Sequence, residues 1–198
     1  MAVAAVAGGV AVATHVGPQR VQATPGARDV PQRASDPATE AARLPVGPQA
    51  PAVHADGWLN SAPLGPGDLA GKVVLYDFWT FGCINCQHTL PHLLAWHARY
   101  AEAGLVIVGI HTPEFAYESD PANIAAYLAH EGIRYPVALD LHSLVWDAFG
   151  NQYWPAFYLH DRQGRRRLVH IGEGGYTQIE DAIRALLGVD PGSPRASL

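Results

Sequence analysis

The sequence predicts an α/β fold in which a mixed central β-sheet is flanked by helices. Apolar runs rich in β-branched and aromatic residues alternate with segments whose apolar residues recur at helical spacing. Near the end of the chain, two further apolar runs are joined by a short polar turn, which is typical of a β-hairpin. Strands that are separated by helices pair in parallel, whereas a hairpin adds antiparallel strands.

The first half of the predicted fold contains two buried strands, each followed by a helix. Both strands are continuous runs of aliphatic and aromatic residues, as expected where both faces of a sheet are covered. Gly104 ends the first helix, and Asp120 is a suitable N-cap for the second. We expect strands over Lys72–Trp79 and Leu105–His111, and helices from Cys83 to about Glu102 and over Pro121–His130.

The second half continues with one more strand and helix before the hairpin and a final amphipathic helix. Gly150 and Gly188 follow the two helices, as glycine commonly does at a helix C-terminus. We expect strands over Tyr135–Leu139, Ala156–His160 and Arg165–Ile171, and helices over Ser143–Phe149 and Tyr176–Leu187.

Aromatic residues divide the chain into two parts. All eighteen lie at Trp58 or later, whereas the first 57 residues hold seven of the sixteen prolines. A segment without aromatic residues buries too little apolar area to offset its ordering entropy. We therefore expect a flexible tether over residues 17–56, a folded domain over 57–189 and a disordered tail over 190–198.

Residues 1–16 are almost wholly small and apolar, without Lys or Arg. They have the length of the apolar part of a signal peptide but are short for a membrane span. Three interpretations stay open: a signal peptide or signal anchor, the end of a membrane helix of a longer protein, or a disordered tail. The first two place the folded domain outside the cytoplasm.

Charge and cysteine content exclude several classes of function. The net charge is −5 and the isoelectric point is near 6.0, which argues against a nucleic-acid-binding face and against a polybasic membrane patch. Cys83 and Cys86 are the two cysteines of the chain. Two cysteines exclude a disulfide-dense scaffold and a complete four-cysteine zinc site.

The strongest chemical signal is the Cys-Ile-Asn-Cys sequence between a buried strand and a helix. Cysteines three residues apart at a helix start lie about one turn from each other and can form a disulfide. The helix N-terminus stabilises a thiolate at Cys83, which can attack a substrate disulfide, and Cys86 can then resolve the mixed disulfide. Half of a metal site and an inert pair are the alternatives.

The motif VVLYDFWTFGCINC, with Pro91 five residues after Cys86, resembles the thioredoxin superfamily. The segments GLVIVGIHTPEF, YPVALD, GNQYWPAFYLHDRQGR and GEGGY resemble its TlpA/ResA-like branch, and most of all the thioredoxin-like domain of DipZ proteins. The resemblance covers residues 58–187. It implies a thioredoxin-like three-layer fold without a cofactor, and extracytoplasmic exchange of protein disulfides, with electrons delivered by a CcdA-like membrane protein.

The resemblance also implies supporting residues at the site. Asp77 occupies the place of a buried acid whose raised pKa suits proton transfer with Cys86. Trp79 matches the family tryptophan and is expected among the substrate-binding residues, together with Pro155, which matches a cis-proline that shapes a substrate groove. Trp154 either lines that groove or packs in the core. Glu114 is the expected acid of the loop after the second strand, with Glu118 as its competitor.

Two other functions remain as alternatives to thiol–disulfide exchange. A thiol peroxidase needs a proline four residues before Thr80, but position 76 is Tyr. A copper or other metal carrier would use the cysteine pair with His88 or His92, which share a helix face. Surface positions without a metal are the expectation for both histidines.

Overall fold

The structure, a computed structural model, describes residues 36–198. Six strands form one mixed sheet in the order β1-β4-β3-β2-β5-β6, with helices on both faces. The predicted fold class is thereby confirmed. The elements in chain order are α1 (Pro37–Arg43), β1 (Gly57–Leu59), α2 (Pro66–Leu69), β2 (Val73–Trp79), α3 (Ile84–Tyr100), β3 (Leu105–His111), a 3₁₀ turn (Ala116–Ser119), α4 (Pro121–Glu131), β4 (Val137–Leu139), α5 (Leu144–Phe149), β5 (Ala156–His160), β6 (Arg166–Ile171) and α6 (Tyr176–Leu187).

The sheet contains both parallel and antiparallel strand pairs. Strands β2, β3 and β4 are parallel neighbours and are joined by α3 and α4. Strand β5 pairs antiparallel with β2 on its other side, and β6 completes the hairpin. In this register Asp77 lies between Gly109 and Phe157, and Trp79 lies beside His111.

The two faces of the sheet bury separate apolar clusters. Odd-numbered residues of β2, such as Leu75 and Trp79, face the cluster formed with α3, α4 and α6. Even-numbered residues, such as Tyr76 and Phe78, face the cluster that includes Val145 of α5. This alternation puts Asp77 on the same face of the sheet as Cys86, which belongs to the first cluster.

The predicted strands and helices after residue 72 are all present, with ends that move by a few residues. The third strand begins at Val137 rather than Tyr135, and the first long helix ends at Tyr100 rather than near Glu102. The short elements α1, β1 and α2 were not predicted. They contain three to seven residues, which is too few to show a periodic apolar pattern.

The predicted tether needs correction from residue 36 onward, because this part lies on the domain. Asp36 is the N-cap of helix α1, and its side chain accepts a hydrogen bond from the amide of Ala38. The amide of Gly47 donates to the carbonyl of Arg166, and Gln49 forms a β-bridge with Arg165. Backbone hydrogen bonds thus supply the order that the composition alone does not. Residues 1–16, and the tether up to residue 35, lie outside the described residues.

The predicted disordered tail also needs correction. The guanidinium of Arg184 donates hydrogen bonds to four carbonyl oxygens of the segment that follows α6, those of Asp190, Pro191, Ser193 and Pro194. The amide of Ala196 donates to the buried carboxylate of Glu180. The tail therefore adds partners to two buried charged groups of α6, both of which also contact the hydroxyl of Tyr100.

Between residues 36 and 198, none of the helices is long and apolar enough to cross a membrane.

Candidate active site

The two cysteines lie where β2 ends and α3 begins. Cys83 is the N-cap of α3 and is half-buried, whereas Cys86 is only 4% exposed. Both are free thiols. The predicted position of the pair at a strand-to-helix turn is therefore confirmed, and the two sulfur atoms have different access to a substrate.

The surroundings of Cys83 favour a nucleophilic sulfur. The amide of Cys86 donates a hydrogen bond to Cys83 Sγ, with an N···S distance of 3.4 Å. The sulfur also lies at the N-terminus of a 17-residue helix, where free amide groups and the helix dipole stabilise negative charge. Cys83 is accordingly the member of the pair suited to attack a disulfide.

The burial of Cys86 favours its protonated thiol form, in contrast to the nucleophilic sulfur of Cys83. Burial raises the pKa of the Cys86 thiol, and its hydrogen bond with Cys83 and the negative charge of Asp77 raise it further. The thiol form is therefore stable at neutral pH. To act as a nucleophile, Cys86 needs a nearby group that accepts its proton.

Asp77 has the properties of such a group. Its side chain is 1% exposed, and burial raises the pKa of Asp77 to about 8. Within the described part of the chain, Asp77 Oδ1 has no hydrogen-bond partner. A carboxyl group with a pKa near neutrality, on the same face as Cys86, can both accept and return a proton.

His111 of the neighbouring strand β3 supports the turn that leads into Cys83. The amide of Cys83 donates to the carbonyl of Thr80, and Thr80 Oγ1 lies 3.4 Å from His111 Nε2. The His111 ring is fully buried, edge-on to Trp79 and stacked against Phe81. Burial lowers the pKa of His111 to about 4, so this ring is neutral at pH 7.

Trp79 is part of this support and not an open surface. It is 5% exposed, and its ring contacts His111 and Tyr127. The sequence placed Trp79 among the substrate-binding residues. Its burial leaves little of the ring exposed for direct contact with a substrate.

The acid that contacts the cysteine turn is Glu118. Its buried carboxylate accepts hydrogen bonds from the amides of Gly82, Glu114 and Phe115, at 2.7 to 2.9 Å. Glu114, which the sequence favoured for this place, has an exposed side chain. The expectation for Glu114 is therefore corrected in favour of its competitor, because the 3₁₀ turn directs residue 118 and not residue 114 toward Gly82.

Glycine is required at position 82, where the cysteine turn contacts the loop after β3. A Cβ at this position would lie 2.5 Å from the hydroxyl of Tyr117 and would collide with the carboxylate of Glu118. This contact has no counterpart in local sequence, because the pairing of β2 with β3 brings together residues 82 and 118, which are 36 positions apart in the chain.

Trp154 and Pro155 lie in the turn before β5. Their peptide bond is cis, as the sequence resemblance implied. Pro155 is buried, and Trp154 is half-buried with its ring 4.4 Å from that of Trp146. Trp154 thus packs against the first cluster and against Trp146 of α5 while it remains partly open to solvent, so both expected roles have a structural basis.

His88 and His92 of α3 contact side chains other than the cysteine pair. His88 Nδ1 lies 2.8 Å from the carboxylate of Glu173, and His92 stacks on Tyr176. Among residues 36–198, no group of three or more His, Cys, Asp or Glu side chains is placed to hold a metal ion.

Comparison with known sequences gives two kinds of relative. The AhpC/TSA family model matches residues 46–168. DipZ of Mycobacterium tuberculosis is 46% identical over 134 residues, which are 66% of this chain but 19% of DipZ. The thiol-disulfide oxidoreductase ResA of Bacillus thuringiensis is 27% identical over 121 residues, which are 60% of this chain and 66% of ResA. The chain therefore spans about a fifth of DipZ.

A solved structure gives the same picture of the fold. The crystal structure of a putative thiol:disulfide interchange protein DsbE from Chlorobium tepidum matches with a TM-score of 0.64 and 25% identity. The match covers 73% of this chain and 99% of the DsbE chain.

Proposed function

The chain belongs to the AhpC/TSA family of thioredoxin-like proteins, and from this premise we propose that it exchanges disulfides of protein substrates through Cys83 and Cys86. The resemblance to the thioredoxin superfamily, its ResA-like branch and DipZ is confirmed. One observation carries the proposal. An accessible sulfur at a helix N-terminus lies one turn from a buried thiol with an acid of raised pKa on the same face of the sheet.

The first step is attack of the Cys83 thiolate on a sulfur of the substrate disulfide. The substrate S–S bond breaks, a mixed disulfide between Cys83 and the substrate forms, and the other substrate sulfur leaves as a thiolate that takes up a proton. The helix N-terminus and the Cys86 amide stabilise the attacking sulfur before this step.

The second step uses Cys86 and Asp77. Cys86 passes its proton to Asp77, and the resulting thiolate attacks Cys83 Sγ. The bond between Cys83 and the substrate breaks, and the second substrate thiol is released. The substrate has then gained two electrons and two protons, and the protein holds a Cys83–Cys86 disulfide. A dithiol donor returns the protein to its reduced state.

The direction of electron flow and the location come from the DipZ resemblance. We place the domain outside the cytoplasm, as a reductant that receives electrons from a CcdA-like membrane protein. Residues 1–16 would then serve as an export signal or as a membrane tether. The 46% identity to DipZ over the domain supports these assignments.

The alternative functions find no support in the site. In a thiol peroxidase the threonine of the cysteine turn would face the reactive sulfur, whereas Thr80 Oγ1 lies beside His111, and position 76 is Tyr. A metal carrier would need His88 or His92 near Cys83, but these side chains contact Glu173 and Tyr176.

Reduction of insulin by dithiothreitol, with and without the protein, tests the proposed activity. We expect the protein to accelerate the reaction, Cys83→Ser to abolish the acceleration, and Cys86→Ser to accumulate a mixed disulfide visible by mass spectrometry. A Cys83–Cys86 reduction potential below about −200 mV fits a reductant, and a much higher potential indicates an oxidant. Full acceleration by Cys83→Ser would refute the proposal.

A further inference from the structure

We propose that the surface around Cys83 selects substrate segments that combine positive charge with an apolar side chain next to the disulfide. This inference rests on the proposed function and specifies its substrate class. It follows from two independent features of the same surface, which are its exposed aromatic residues and the sign of its charges.

Large apolar side chains are exposed at this end of the molecule. Among the described residues, Ile84 follows Cys83 directly, Phe115 and Tyr117 lie in the loop after β3, and Tyr153 precedes Trp154. Their side chains are between 52% and 59% exposed. Exposure of this size in several large apolar side chains at the end of the sheet that carries Cys83 is typical of an interaction surface.

The aromatic loop is fixed against the cysteine turn. The ring of Tyr117 lies 5.6 Å from that of Phe81 and 6.0 Å from that of Phe115, to which it is nearly parallel. Glu118 binds the amides of this loop and of Gly82 at once. Phe115 and Tyr117 therefore form a preorganised shelf beside the residue that precedes Cys83.

Acidic residues alone carry charge in the loops of this end. Four of these loops follow β2, β3, β4 and β6, which run in the same direction. The fifth loop precedes β5, which runs in the opposite direction. All five therefore lie at the edge of the sheet where β2 ends. They contain five acidic residues and no Lys or Arg, and their bounds are 80–83, 112–120, 140–143, 151–155 and 172–175. Glu114, Asp120 and Glu173 are the exposed acids among them.

Positively charged side chains lie at the opposite edge of the sheet, where acids such as Glu102 are also present. Lys72 lies before β2, Arg134 before β4, and Arg162 in the turn between β5 and β6. The guanidinium of Arg162 bonds the carbonyls of Gly71, Ala103 and Leu187, which places the start of β2 and the ends of α3 and α6 together. The separation of charges leaves the surface around Cys83 negative.

An extended segment with Lys or Arg near its cysteine and one aromatic or aliphatic side chain fits both features. The apolar side chain would lie on the shelf of Phe115 and Tyr117, and the cations would approach Glu114 and Glu173. Acids at a surface raise the encounter rate of a cationic partner and repel an anionic one. Selection should therefore appear in kcat/KM and weaken with salt.

Three disulfide-bonded peptides of one length test the inference. Each contains the same intramolecular disulfide next to a leucine, with net charge set to +3, 0 or −3 by Lys, Gln or Glu. We expect kcat/KM for the +3 peptide to exceed that of the −3 peptide by about tenfold or more at low salt, with the difference shrinking at high salt. Replacing the leucine by serine should lower kcat/KM for all three.

Matched variants locate the effect on the protein. Glu114→Gln combined with Glu173→Gln should reduce the preference for the +3 peptide by about threefold or more. Glu102→Gln, an exposed acid after α3 at the opposite edge, should leave the preference unchanged. Phe115→Ser should remove the advantage of the leucine, whereas Val46→Ser, equally exposed near β6, should not.

The outcomes separate this inference from the proposed function. The inference would be overturned if the protein reduced insulin and the neutral peptide but kcat/KM did not depend on peptide charge, or was highest for the −3 peptide. The proposed disulfide exchange would stand in either case. Failure to reduce insulin and every peptide would overturn the proposed function. Sedimentation of a dimer that Phe115→Ser converts to a monomer would show that a second copy occupies the shelf, and would also overturn the inference.

Discussion

Asp77 and Glu118 are both buried acids near the cysteine turn, but their surroundings give them different tasks. Glu118 binds three amides and so holds two loops together. Asp77 has an oxygen without a partner among the described residues and a pKa raised to about 8. A carboxylate with three amide donors suits the joining of two loops, whereas a carboxyl group in an apolar cluster suits proton exchange.

Replacement of Asp77 by Asn should stabilise the protein above pH 4. The folded-state pKa is about 8 and the ordinary value is 3.8, so the unfolded chain loses its proton first as pH rises. The contribution of Asp77 to the stability of the wild-type protein therefore falls between about pH 4 and pH 8, and each pKa unit corresponds to about 1.4 kcal/mol. Urea denaturation of both proteins from pH 4 to pH 9 should give a difference that grows to several kcal/mol and then levels off.

The same Asp77→Asn variant should resolve mixed disulfides more slowly. A stability difference that stays constant across this pH range would contradict the raised pKa. A normal rate of resolution, measured by stopped-flow, would remove Asp77 from the second step.

Replacement of Glu118 by Ala should lower stability and activity together. Three amides lose a charged acceptor, and hydrogen bonds to charged groups contribute about 1.5–3 kcal/mol each at most. We expect a loss of about 2 kcal/mol or more in the free energy of unfolding, with slower insulin reduction. Glu114→Ala, at an exposed side chain, should change stability by less than about 0.5 kcal/mol. Equal losses from the two variants would contradict the assignment of Glu118.

At the scale of elements, α1 and the strand-like segment after it are held by one side chain of β6. Arg167 is buried and donates to the carbonyls of Ala41, Leu44 and Pro45 while it pairs with Asp161. In the sequence, Arg165, Arg166 and Arg167 form a charge run that is typical of a solvated hairpin edge. The structure instead uses the third arginine to attach the segment that precedes the domain.

Arg167→Ala should therefore cost about 3–5 kcal/mol in the free energy of unfolding. The substitution removes one of the two arginines that pair with buried Asp161, and three carbonyls lose their charged donor. Arg43→Ala removes an exposed pair with Glu40 on α1 and should cost less than about 1 kcal/mol. Limited proteolysis should cut residues 36–56 faster in Arg167→Ala. Unchanged stability and cleavage would show that the segment does not depend on this arginine.

At the scale of the whole molecule, three buried groups on both faces of the sheet set the response to pH. His111 lies among the site residues, and His160 lies on β5 beside Tyr76 and Phe149. Burial lowers the pKa of each to about 4, from an ordinary value of 6.5. Asp77 has the opposite shift.

Stability should therefore be greatest near pH 6.5. Below this pH the unfolded chain takes up protons at both histidines before the folded protein does, so stability falls from about pH 6.5 to pH 4. Above it, the Asp77 contribution alone lowers stability up to about pH 8. Thermal unfolding across this range should show a maximum, His160→Gln should flatten its acid side, and Asp77→Asn should flatten its alkaline side. A profile that still rises from pH 6.5 to pH 8 would contradict this account.

Much of the fold and the centre of the site followed from local sequence. The runs of β2 and β3 are long enough to show burial on both faces, and the cysteine pair lies between a strand and a helix in the chain itself. The short elements α1, β1 and α2 lacked such a signal. They depend on hydrogen bonds to residues more than seventy positions away, such as those of Asn60 to Ile133 and Tyr135.

The sequence by itself determined the order of strands and helices, the fold class and the two reactive sulfur atoms, because each depends on neighbours in the chain. Tertiary structure alone decided that Glu118 and not Glu114 reaches Gly82, that residues 36–56 lie on the domain and that one edge of the sheet is negative. These facts depend on which side chains the pairing of β2 with β3, β5 and their helices brings together. Distances of that kind are set by packing and have no counterpart in the spacing of residues along the chain.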